Sequence, residues 1–167
     1  INSIAVDSAG TYWFAFGDIG TDNLRQDTRI FRMTATDAVA TACFVSIHSI
    51  LDNFYCRGMF TVAGTVYFLG HKAISATKVE QFIYDSSLNI KWRSNIEVDF
   101  VAANASAITY SSFYPTMRGV YFLGKTAAGE GYNLNLFSTG GSILPVTTFD
   151  FSPTATIFTA VPFLFNG

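Results

Sequence analysis

The chain has 167 residues, of which 50% are hydrophobic, 16% aromatic and only 13% charged, with a formal net charge of −2. It has no basic stripe to neutralise phosphates, which argues against nucleic-acid binding by that route. It also has no run of 18 apolar residues that could cross a membrane as a helix. Seventeen Phe and eight Tyr against so little charge predict broad packing between layers rather than one small core.

The chain opens on a β-like run, Ser3 to Asp7, closed by Ser8-Ala9-Gly10. A nearly all-apolar run follows, Thr11 to Gly17, as expected of a strand buried on both faces. The third run alternates, with Ile30, Phe31 and Met33 set against Arg29 and Arg32, the mark of a strand with one wet face. The fourth run is Ala42 to Ile47. The same order then returns. Val66-Tyr67-Phe68-Leu69-Gly70 repeats the second run, Val79 to Tyr84 the third and Ile90 to Arg93 the fourth. A third round gives Val120-Tyr121-Phe122-Leu123-Gly124, then Asn133 to Phe137, then Val146 to Phe149. The closing glycines Gly17, Gly70 and Gly124 stand 53 and 54 residues apart, a period that signals an array of equivalent units. Asp85 to Asn89 and Thr139 to Ser142 join third to fourth runs with residues suited to tight turns. Thr156 to Val161 and Pro162 to Gly167 look like the first two strands of a further unit.

Burial is expected to fall from the second strand of each unit to the fourth, as in a propeller blade whose outer strand faces water. Ala5-Val6-Asp7-Ser8-Ala9-Gly10 with Trp13 and Gly17, and Phe82-Ile83-Tyr84-Asp85-Ser86-Ser87 with Trp92, carry a more specific likeness. They resemble the two halves of a β-propeller repeat family of secreted and surface proteins. Its unit runs Ala-Val-Asp-x-x-Gly-x-x-Tyr, then Asp-x-x-Gly and a closing Trp. The resemblance implies an all-β propeller segment of about three and a half four-stranded antiparallel blades, part of a larger ring. The blades would span residues 1–48, 54–99 and 107–151, with a partial fourth at 154–167. It implies no catalytic residues and no cofactor. The expected setting is extracellular or on a cell or particle surface. An open ring of this kind would leave apolar blade faces for a partner, either another copy or another protein, to cover.

Candidate binding residues fall in the connections after each second strand, which differ most between units. These are Asp18, Asp22, Asn23, Arg25 and Asp27 in the first unit, His71 and Lys72 in the second, and Lys125 and Glu130 in the third. Variable loops on a rigid scaffold are where binding commonly resides, and a protein or glycan is the expected ligand. The three aspartates do not follow the alternating pattern of the twelve-residue calcium loop, so no metal site is assigned. His48 and His71 are the only histidines, and neither falls in a zinc-ligand spacing or beside an evident nucleophile. The spacing of Cys43 and Cys56 permits a disulfide, but the propeller reading sets Cys43 on an outer strand and Cys56 near the next inner one, most of a blade width apart, and so implies two free thiols. Asn104-Ala105-Ser106 is a glycosylation sequon in a connection between units. The competing functional reading is a carbohydrate-active propeller enzyme completed by further blades. Its tunnel would be lined from the first strands by Asp7, Arg57 and Arg118, and one carboxylate among two cations is a poor match to glycoside hydrolysis.

Overall fold

The computed structural model describes residues 3–17, 28–34, 36, 44–45, 54–75, 78–96, 98–99, 113–125 and 131–150. Among them the regular structure is entirely β, in three antiparallel sheets with simple meander order. The first sheet holds β1 (Ser3–Val6), β2 (Tyr12–Gly17), β3 (Thr28–Met33) and β4 (Phe44–Val45). The second holds β5 (Phe54–Val62), β6 (Thr65–Ala73), β7 (Lys78–Asp85) and β8 (Ile90–Arg93), with β9 (Val98–Asp99) also paired to β7. The third holds β10 (Phe113–Thr116), β11 (Gly119–Lys125), β12 (Gly131–Ser138) and β13 (Ile143–Asp150). Each sheet is thus one round of the four expected runs. The fourth-unit runs, Thr156 to Gly167, lie outside the described residues.

The turns follow from their residues. Ala63 and Gly64 both have positive φ, 47° and 80°, and make the two-residue hairpin between β5 and β6. Asp85 closes the β7–β8 turn by accepting the backbone N–H of Ser87 and of Asn89 at Oδ1, both at 2.9 Å. Ser138 plays the same part before β13, where its Oγ accepts the Ser142 N–H at 3.2 Å.

Among the described residues, the second sheet lies between the other two. Ala5, Trp13, Ala15 and Ile30 of the first sheet pack on one of its faces, against Met59, Val66, Phe68, Phe82 and Tyr84. Its other face, carrying Phe60, Val62, Tyr67, Leu69 and Ile83, packs on Val120, Phe122 and Phe137 of the third sheet. The two contacts are held by specific groups as well as by area. Ser3 Oγ accepts the Met59 N–H at 2.8 Å, and Thr61 Oγ1 donates to the Val6 carbonyl at 2.7 Å. On the other side Gln81 Nε2 donates to the Leu123 carbonyl at 2.8 Å. There the Tyr67 and Phe137 rings meet edge-on, with centroids 4.5 Å apart. The sheets approach so closely at Gly58 that a Cβ there would overlap the Phe113 ring.

This packing explains the solid apolar second runs: Val66 through Gly70 are all buried, with neighbours on both sides. Burial then falls to the fourth strand as expected, for β8 and the described side chains of β13 are mostly exposed. β7 departs from expectation. Its alternation predicts one wet face, yet Glu80 through Asp85 are all buried, because the middle sheet has a neighbour on each face.

The structure also corrects the phase of the repeat. Ala9-Gly10-Thr11 and Ala63-Gly64-Thr65 each lead out of a first-to-second-strand turn into the second strand, and Gly10 and Gly64 share φ values of 77° and 80°. Counted from that turn, Trp13 and Ala15 correspond to Tyr67 and Leu69, and both pairs face the next sheet along. Gly17 is then level with His71 rather than Gly70. The period becomes 54 in both intervals.

Candidate functional site

In a meander, the connections after β2, β6 and β11 gather at one end of the sheets, and the tight turns gather at the other. The structure brings His71, Lys72 and Lys125 to the first of these ends, but within strands rather than loops. Hydrogen bonding of β6 continues past Gly70 to Ala73, so His71 pairs with Gln81 and Lys72 with Glu80. Strand alternation puts His71 on the face of Tyr67 and Leu69, where it is buried. Lys72 is half-buried. Lys125 is the last residue of β11. Asp18, Asp22, Asn23, Arg25, Asp27, Asn104 and Glu130 lie outside the described residues.

The most developed polar cluster at this end was not evident from the sequence. Glu80 is fully buried in its side chain and receives a two-pronged clasp from Arg93, with Nε to Oε1 at 2.8 Å and Nη2 to Oε2 at 2.6 Å. The Asn95 N–H donates to the same Oε1 at 2.7 Å. The Arg93 guanidinium also lies 5.4 Å from the centre of the Phe82 ring. A signal existed: a carboxylate set into the apolar run Val79 to Tyr84 needs a partner, and Arg93 is the cation on the neighbouring strand.

The opposite end is organised by two aspartates. Asp7 sits in the first turn, not in a first strand. Its Oδ1 accepts the Ala9 and Thr11 N–H groups, both at 2.9 Å, and its Oδ2 accepts Trp13 Nε1 at 3.0 Å. The Trp13 hydrogen bond, helped by those two N–H groups, holds the Asp7 carboxyl below its ordinary pKa against the opposing pull of desolvation. Burial pushes Asp85 upward, but donation from Asn89, Lys91 and Ser87 outweighs it and leaves that pKa lowered too. Lys91 Nζ stands 3.2 Å from Asp85 Oδ2. Arg118 is exposed in the turn between β10 and β11, so Asp7 and Arg118 do not line a first-strand tunnel. The side chain of Arg57 is outside the description.

Asp7, Glu80 and Asp85 therefore direct their acceptor atoms at turns and strands of their own sheets. Those bonds fix two turns and one strand pair. Among the described residues, no three His, Cys, Asp or Glu side chains are grouped as metal ligands would be. Cys56 is a buried thiol donating to the Gly58 carbonyl at 3.3 Å, and Cys43 lies outside the described residues. Comparison with family models, curated proteins and solved structures finds no match to this chain.

Proposed function

We propose that the three sheets are blades of a β-propeller and that the chain is a non-catalytic structural or interaction module of an extracellular or surface assembly. Its ligand, a protein or a glycan, meets the end of the sheets that carries Lys72 and Lys125. The observation behind this reading is the use of the described carboxylates. Asp7, Glu80 and Asp85 each hold backbone or a partner strand, so their chemistry goes into rigidity. A rigid stack with chemically varied connections at one end suits recognition.

The test is a screen of immobilised glycans and surface-protein extracts, run beside a panel of chromogenic glycosides. The expected result is retention on a ligand without turnover, weakened about tenfold by Lys72→Ala combined with Lys125→Ala. Turnover of any glycoside by the purified chain would replace this reading with that of a carbohydrate-active enzyme. Retention indifferent to both lysines would move the binding face elsewhere.

A further inference from the structure

In the third sheet a single fourth strand, β13, follows β12 from Phe137 opposite Ile143 to Gly131 opposite Asp150. In the second sheet the same place is shared by β8 and β9. Phe82 stands opposite Arg93, and Val79 opposite Val98. Residues 94–97 therefore pass only two residues of β7, Glu80 and Gln81. Four residues against two cannot stay in the ladder, and the excess leaves it as a bulge.

The bulge is tied both to itself and to β7. The Ser94 N–H donates to the Gln81 carbonyl at 3.0 Å, and the Ile96 N–H to Ser94 Oγ at 3.2 Å. Asn95 takes a left-handed backbone, with φ of 56°, a conformation that asparagine adopts more readily than most residues. Glu80 supplies the remaining tie. The hydrogen bonds to its carboxylate come from one three-residue segment: Nε and Nη2 of Arg93, and the N–H of Asn95. The carboxylate is fully buried, whereas the Arg93 side chain is half-exposed. A buried carboxylate deprived of those donors is costly, and so is an Asn95 N–H deprived of its acceptor. The closed bulge and the buried charge thus require each other. β12 carries no charged residue, and beside it the fourth strand runs on as one.

We infer that residues 94–99 form a strap, latched to β7 by Glu80, that opens as a unit of its own while the rest of the second sheet stays folded. On opening, Arg93 and Asn95 release the carboxylate, water reaches Glu80, and β9 parts from Lys78 and Val79. The pairing of β8 with Phe82 to Tyr84 stays in place. The strap stands where the chain leaves the second sheet for the third, so its closure fixes where that connection departs. The inference rests on the register and on one carboxylate, and is independent of the ring and of any ligand.

Native-state hydrogen exchange of the wild type across a low-urea series tests this without a substitution. The amides of Ser94, Asn95 and β9 should exchange through one shared opening that responds weakly to urea, while those of β6 wait for global unfolding. Two variants then separate the strap from the fold. Glu80→Gln removes the charge and keeps the shape, and should speed exchange of Ser94, Asn95 and β9 about tenfold or more. Arg93→Lys, which keeps a charge but loses the two-pronged fork, should speed it by a smaller factor. Leu69→Ala weakens the fold as a whole, and should speed the β6 amides while leaving the strap amides at the wild-type rate. Strap amides that exchange in the wild type only with global unfolding overturn the inference. So do strap amides that follow Leu69→Ala as closely as β6 does, or that ignore Glu80→Gln.

Discussion

Three carboxylates show how few charges this fold needs and how locally each is used. Asp85 is the clearest. The turn it closes was legible in the sequence, because Asp-Ser-Ser-Leu-Asn has the residues that bond their own backbone. The Glu80–Arg93 clasp was not, because alternation along β7 tells which face a residue takes but not which neighbour stands opposite. Only the β7–β8 register, with Phe82 level with Arg93, brings the guanidinium to the carboxylate. The lowered pKa of Asp85 makes a stability prediction with a definite sign. An ionised carboxylate accepts from Ser87, Asn89 and Lys91, and a protonated one loses part of that bonding. Its contribution is therefore present above the unfolded value of about 4 and is lost as pH falls through the lower folded value. Asp85→Asn should cost about 1 to 2 kcal/mol at neutral pH in urea unfolding. The gap between wild type and variant should narrow at pH values below about 4. A gap that stays constant with pH would show that the carboxylate's charge contributes nothing.

Strands were legible where turn residues bracket them and less so where they do not. β6 is the informative case. Gly70 reads as the end of its apolar run, but β7 supplies hydrogen-bonding partners as far as Ala73, so the strand continues and draws His71 into the packed region. The connection after β6 is correspondingly shorter than the sequence suggests. Ile74 and Ser75 N–H groups both donate to the Lys78 carbonyl. The alternation of β7 misled for a related reason. A period of two marks two faces but does not say that both are covered, and in the middle sheet both are. These elements differ in what a truncation costs. Leu69, with no exposure, packs between the second and third sheets, and Leu69→Ala should cost about 2 to 5 kcal/mol by removing apolar contact and leaving a cavity. Leu144→Ala, made on an exposed face, should stay within about 0.5 kcal/mol in dilute solution. Equal losses in chemical denaturation would mean that β6 is not the buried strand and β13 not the outer one.

At the scale of the whole molecule, the repeat was visible as a recurring string, but its phase was not. The recurring strings end on Gly17, Gly70 and Gly124. The structure instead aligns the turns at Gly10 and Gly64, which share a positive φ that favours glycine. A shift of one residue sounds small, yet in a strand it exchanges the two faces. With the turn alignment, both sheet contacts become the same back-to-front contact, the back being the face of Trp13 and Tyr67 and the front that of Val66 and Val120. With the glycine alignment, Trp13 would correspond to Val66 and the order of stacking would be lost. That order is the basis for the proposed propeller. It was out of reach of the sequence because facing direction depends on hairpin length. The β1–β2 turn places Val6 opposite Tyr12, whereas the β5–β6 hairpin closes on Val62 and Thr65.

The most direct test of the stack is a double-mutant cycle across its second contact, pairing Tyr67→Leu with Phe137→Leu and reading stability by chemical denaturation. The rings belong to different sheets and meet only if the back of the second covers the front of the third. The account predicts a coupling of about 0.5 to 1.5 kcal/mol between the two substitutions. Strict additivity, with each ring lost at no consequence to the other, would contradict it.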